Sequence, residues 1–224
     1  MKQKKTCYMC DEIATSKEHV PPKCLFPEQE DLPGGIDLRK QLLTVQSCDT
    51  HNSKKSHDDE YFLYFLGGCN QINKIGRNHY TSKIRRAIKR NSSLFRKMTK
   101  TAVPVIITDP HTMKQEESLA LTLEPARVNN IIRQLSRAIY YHHYKEKLIG
   151  NVKYQAEFMA TTTDPSEMQN NKFSVEADII FQNAPYFGEN SEVFKYQVIE
   201  NEESKTMRLY FYEGCRLLLM FNGK

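Results

Sequence analysis

Four residues near the N-terminus have the types and spacing of a metal site. Cys7-Tyr-Met-Cys10 carries two thiols two residues apart, and Cys48-Asp-Thr-His51 repeats the gap with an imidazole in the last place. Such a gap lets both side chains of a tight turn reach one ion, and zinc favours four soft or borderline ligands in a tetrahedron. The two turns predict a structural zinc site of Cys7, Cys10, Cys48 and His51. Three alternatives stand beside it: Cys24 replacing one cysteine, His57 replacing His51, or cysteines that are simply buried thiols. Between the turns, Glu18-His19 precedes Val20-Pro21-Pro22. The prolines end any regular element there, so acid and imidazole are held at a bend. Asn52 directly follows the second turn, and Lys54 and Lys55 stand at the expected start of a helix.

Three zones must position these residues. Residues 1–60 are rich in Cys, His, Pro and Gly and too poor in apolar side chains to hold themselves together, a deficit that a metal clamp makes good. Residues 61–100 read as helical: EYFLYFLGG is a short apolar helix closed by Gly67 and Gly68, and Ile84, Ile88, Phe95 and Met98 recur at helical spacing. The acids Asp58, Asp59 and Glu60, with His57, are expected to complement the N-terminus of the first helix, the alternative being a role at the site. In residues 101–224, AVPVIITD reads as a strand. EPARVNNIIRQLSRAIYYHHYKEKLIG reads as one long helix opened by Pro125 and closed by Gly150. KYQAEFMATTT, KFSVEADIIF, VFKYQVIE and TMRLYFYEGCRLLLMF read as strands, the last as two strands turning at Glu213-Gly214. The expectation is an α+β fold: a small metal-bound module, a basic helical segment, and a C-terminal antiparallel sheet with one long helix. Cys69 and Cys215 sit among apolar residues and are expected in the core.

Charge is concentrated rather than large. The net formal charge is +5, yet residues 61–100 hold ten Lys or Arg and no Asp or Glu, leaving 22 basic against 27 acidic residues elsewhere. A block of one sign is the footprint of a polyanion partner, with Lys83, Arg85, Arg86, Lys89 and Arg90 as its phosphate contacts; a solvated helix face is the plainer alternative. No glycine-rich nucleotide loop or nucleophile elbow occurs in residues 101–224. The basic start MKQKK has no apolar run behind it, and no segment approaches the roughly 18 apolar residues that cross a membrane. A cytoplasmic chain without a membrane partner is expected, and in that compartment paired cysteines serve metals more often than disulfides.

In order and spacing, C7YMC10, E18HVPP22 and C48DTHN52SKKS56 resemble the zinc-ribbon branch of the HNH endonucleases, whose fold is ββα-metal. The resemblance covers about residues 7–60. It implies a catalytic set of His19, Glu18 and Asn52: His19 is the general base that activates water, while Glu18 and Asn52 hold one divalent ion, Mg2+ or Mn2+. It implies Lys54 and Lys55 as phosphate contacts, and DNA as substrate, RNA not being excluded. The chemistry is coherent, since imidazole accepts a proton near neutral pH and a hard, oxygen-bound cation neutralises charge on a scissile phosphate. Two departures stand out. The brace in the second strand, usually Asn or His, has no counterpart in residues 31–47, where Thr44 is the nearest candidate. The fourth zinc ligand is His51 where cysteine is more usual. A zinc-bearing nucleic-acid binder without hydrolysis is the competing class, and a nuclease effector of a defence or mobile element, controlled by a protein partner on the C-terminal domain, is another.

Overall fold

The computed structural model describes residues 5–52, 56–69, 71–90, 92–108, 115–158, 166–202 and 204–222. The chain is α+β. β1 (Ser16–His19) and β2 (Thr44–Ser47) pair antiparallel, with Ser16 opposite Ser47 and His19 opposite Thr44. Three 3-10 turns fill the connection between them. β2 runs into α1 (Asp49–Asn52) and then α2 (Ser56–Gly67), so the N-terminal elements follow in ββα order. Asp58 and Asp59 lie in the first turn of α2, where carboxylates complement the exposed N–H groups.

The basic segment is two helices rather than one continuous run, α3 (Lys74–Lys89) and α4 (Ser93–Thr99). The break falls where Ser92 caps α4, its hydroxyl accepting the Phe95 N–H at 3.4 Å; serine competes better for such a cap than for a helix interior. β3 (Val103–Thr108) and β4 (Gln115–Ala120) form a separate hairpin.

α5 (Pro125–Tyr144) opens at Pro125 as its sequence predicts but ends well before Gly150. Lys145 takes the left-handed conformation (φ 60°), and its N–H returns to the Tyr141 carbonyl at 2.9 Å. This cap satisfies a terminal carbonyl without a glycine. Along α5, Val128, Ile131, Ile132, Leu135, Ala138 and Ile139 are buried, each large side chain contributing about 1.5–3 kcal/mol.

β5 (Asn151–Ala156) starts two residues before the predicted strand, and residues 159–163 of that stretch lie outside the described residues. The expectation of a strand over KFSVEADIIF is wrong: the segment belongs to α6 (Ser166–Phe181), a second long helix. Its buried side is Ala177 and Phe181, four residues apart, while Val175, Ile179 and Ile180 face solvent. The period is therefore helical, and polar anchors fix the same face. Ser174 donates to Glu157 at 2.6 Å, and Asp178 accepts from Arg208 Nη1 at 2.6 Å. Arg208 is fully buried and also meets Glu157 in a fork of 2.8 and 2.5 Å.

β6 (Tyr186–Phe187), β7 (Phe194–Glu200), β8 (Lys205–Phe211) and β9 (Cys215–Asn222) complete an antiparallel sheet ordered β5-β9-β8-β7-β6. The β8–β9 turn falls at the predicted place. Tyr212 and Glu213 both have positive φ, and a Cβ on Gly214 would lie 1.8 Å from the Gln71 carbonyl. Cys69 and Cys215 are buried, as expected.

One continuous core joins the segments. Phe62 of α2 meets Phe211 of β8 edge-on at 5.5 Å, the Tyr212 hydroxyl donates to the Leu25 carbonyl at 2.6 Å, and Tyr61 accepts the Glu124 N–H at 2.8 Å. Among the described residues no helix is long and apolar enough to cross a membrane.

His79 of α3 sits in this core, 2% exposed. Its Nε2–H donates to the Cys24 carbonyl at 2.8 Å, and Nδ1 has no hydrogen-bond partner among the described residues. Burial pushes its pKa down to about 4, below the unfolded value of about 6.5. The unfolded chain therefore binds more protons between these values. The contribution is complete above about pH 6.5 and is lost as pH falls toward 4. Between pH 7 and 5 the wild type is expected to lose up to about 2 kcal/mol more stability than His79→Gln, read by urea titration; parallel pH profiles would refute this.

Candidate functional site

The N-terminal loop reaches β2 through its backbone. Cys7 N–H donates to Glu12 O at 2.8 Å and Tyr8 N–H to Gln46 O at 2.9 Å, which folds Cys7 and Cys10 back against the end of β2. Met9 N–H points at Cys7 Sγ, 3.4 Å away. On the other side, the amides of His51 and Asn52 both return to the Cys48 carbonyl, at 3.1 and 3.0 Å, so His51 projects beside Cys48 from the single turn of α1.

The ligand atoms of Cys7, Cys10, Cys48 and His51 consequently converge, all within 4.8 Å of one another. His51 Nδ1 lies 3.6, 3.5 and 3.2 Å from the sulfurs of Cys7, Cys10 and Cys48, and Cys10 and Cys48 are 3.8 Å apart. Metal–sulfur bonds of about 2.3 Å and metal–nitrogen bonds of about 2.0 Å set tetrahedral edges of roughly 3.5–3.8 Å. The Cys3His cluster can therefore hold a metal ion such as zinc. Among the described residues no other group of three such ligands converges in this way. Neither Cys24 nor His57 belongs to the converging group; Cys24 Sγ instead donates to the Asp59 carbonyl at 3.4 Å.

Glu18 and His19 are neighbours on β1, and both line one cleft with Val20, Pro22, Asp58, Asp59, Phe62 and the α5 residues Ile131, Gln134, Leu135 and Ala138. The cleft encloses about 20 Å³, room for about one water-sized occupant. The Glu18 side chain is buried and accepts from the Tyr8 hydroxyl at 3.3 Å. Burial, with Glu18 beside it, holds that phenol far above its usual pKa, so Tyr8 remains a donor. His19 is half-buried, and burial followed by the Lys23 charge lowers its pKa. Asn52 is placed differently. Its amide nitrogen donates to Ser16 Oγ at 2.8 Å and Lys17 O at 3.4 Å, pinning α1 to β1, and it is not among the residues lining the cleft. Lys54 and Lys55 lie outside the described residues.

Thr44 stands opposite His19 on β2, and α5 packs against β2. Burial, followed by the Lys145 charge, lowers the pKa of His142 in the last turn of that helix. Lys147, just beyond α5, donates to Cys10 O at 2.7 Å and pairs with Asp11 at 2.9 Å. Arg127 pairs with Asp58 at 2.7 Å and lies over the Tyr61 ring.

The cations of α3 divide into two sets. Lys83 and Arg86 face the acidic turn before β2, Lys83 at 3.5 Å from Glu28 and Arg86 on Asp31 and Glu28, with Arg39 on the same Glu28. Arg85, Lys89 and Arg90 face solvent.

Comparison of the chain with protein-family models, with curated proteins and with solved structures returned no match.

Removing one thiolate with Cys48→Ser is expected to bring bound metal well below about one equivalent and to lower stability by several kcal/mol. Cys24→Ser is expected to change neither. Elemental analysis and urea titration of the two variants check this; equal metal content in Cys48→Ser and wild type would contradict it.

Proposed function

We propose that this chain is a metal-dependent endonuclease of HNH type that hydrolyses DNA phosphodiester bonds, with a structural zinc in the Cys3His cluster. The observation that carries the reading is the antiparallel pairing of β1 and β2. One strand ends in His19, in a cleft with three carboxylates, and the other ends at two of the metal ligands.

His19 is the general base, its imidazole drawing a proton from the attacking water. With room for about one water, the cleft admits that nucleophile and leaves the scissile phosphate at its mouth. Glu18 is assigned to a divalent ion, Mg2+ or Mn2+, and the oxygens of Glu18, Asp58 and Asp59 give the cleft the hard donors that such an ion takes; Asn52, outside the cleft lining, positions β1 against α1. When bound, the ion would offset negative charge on the phosphate. Arg85, Lys89 and Arg90, the solvent-facing part of the basic block, extend the track for backbone phosphates, with Lys54 and Lys55 nearer the site.

A second reading, a zinc-bearing DNA-binding protein without hydrolysis, is favoured by one observation: the Asn52 amide already serves as a brace between α1 and β1. Activity separates the two. Incubated with plasmid DNA and Mg2+ or Mn2+, the wild type is expected to nick or linearise it, EDTA to stop the reaction, and His19→Ala to slow it by at least about 100-fold. Undiminished cleavage by His19→Ala would remove the nuclease assignment, and binding without cleavage by the wild type would establish the second reading.

A further inference from the structure

A second cleft lies on the other flank of α5. Asn129, Arg133 and Arg137 line it from the helix, and Gly150, Asn151, Val152 and Tyr154 line it from the start of edge strand β5. It encloses about 230 Å³, several times the space beside His19. Spacing of four places Asn129, Arg133 and Arg137 on one helix face, one turn apart.

The chemistry of this lining is one-sided. Arg137 is fixed by the protein, its guanidinium donating to the carbonyls of Leu148 at 2.7 Å and Gly150 at 2.9 Å. Those acceptors are neutral, so its charge stays uncompensated; burial and then the neighbouring charge of Arg133 lower its pKa. Arg133 is exposed and has no hydrogen bond or ion pair among the described residues. Among the described residues no carboxylate lines the cleft. The Tyr154 hydroxyl donates to Asn129 Oδ1, which orients that amide and leaves its N–H2 as a donor. The floor is backbone: at Gly150 (φ +120°) a Cβ would lie 2.8 Å from the Asn222 carbonyl. Two like charges one turn apart oppose each other on a helix, and among the described residues of the lining no acid offsets them. A concave site offering guanidinium and amide donors, with no anion of its own, is complementary to a phosphate.

We propose that this cleft is a phosphate site and that a backbone phosphate of the DNA occupies it. The choice of DNA over a small phosphate ligand rests on the nuclease reading. The same helix lines the His19 cleft through Ile131, Gln134, Leu135 and Ala138, so the two clefts are separated by about one helix diameter, roughly 10 Å. The cleft fixes the strand beside the cutting site, away from the basic block of α3.

The test uses the full metal-loaded chain carrying His19→Ala, so that DNA remains whole, and a fluorescein-labelled short duplex read by anisotropy across a salt series. Arg133→Gln is expected to weaken binding about three- to tenfold and to reduce the slope of log affinity against log salt by about 0.9, one phosphate contact. Arg133→Lys is expected to keep the slope. Arg133 has no hydrogen bond or ion pair among the described residues, so thermal midpoints should not move. Wild-type affinity and slope in Arg133→Gln and Arg133→Glu overturn the proposal, as does absence of duplex binding by the parent chain. Inorganic phosphate is the second probe. Phosphate-dependent thermal stabilisation lost in Arg133→Gln, with the DNA slope unchanged, assigns the cleft to a small phosphate ligand and overturns the strand assignment. Failure of the nuclease reading would look different: uncut plasmid with wild-type protein, while the Arg133 effect on duplex binding persists.

Discussion

The N-terminal module depends on four ligand atoms meeting at one point. Its two strands are four residues each, and a two-stranded hairpin of that length is marginal in water. More than twenty residues separate the strands, so closing the connection costs conformational entropy that a short ladder does not repay. The Cys3His cluster joins the loop before β1 to the turn after β2. A metal ion there fixes both ends of the hairpin and, through them, the direction in which Glu18 and His19 project. The Asn52 amide and the Tyr8–Glu18 hydrogen bond fasten the same corner from inside.

α5 connects this module to the rest of the chain. Its apolar stripe enters the common core, it packs against β2, and Arg127 pairs with Asp58 at the start of α2. Beyond its end, Lys147 bonds the Cys10 carbonyl. The corner that carries the Cys3His cluster is thus fastened at several points to α5 and the residues that follow it. Two clefts flank that helix, one carrying carboxylates and an imidazole, the other two arginines.

The metal ligands were legible in the sequence because a two-residue gap is a local constraint: the turn that satisfies it is built within four residues. The end of β1 directly after His19 was legible for the same reason, Pro21 and Pro22 closing the strand, although Glu18 and His19 lie on the strand itself and not at a bend. Part of what the sequence hid is non-local. Lys83 and Arg86 read as phosphate contacts, yet Lys83 pairs with Glu28 and Arg86 with Asp31, more than fifty residues earlier. The stretch KFSVEADIIF read as a strand because three of its exposed positions, Val175, Ile179 and Ile180, are apolar and hide the helical period marked by Ala177 and Phe181. Gly150 read as a helix terminator, but Lys145 accepted the left-handed cap first.

X-ray absorption at the zinc K edge of the purified chain tests the metal-pinned corner most directly. The expected spectrum has three sulfur neighbours at about 2.3 Å and one nitrogen at about 2.0 Å, with one sulfur lost in Cys10→Ser. Zinc bound only through oxygen and nitrogen, or a folded chain carrying no metal, would contradict it.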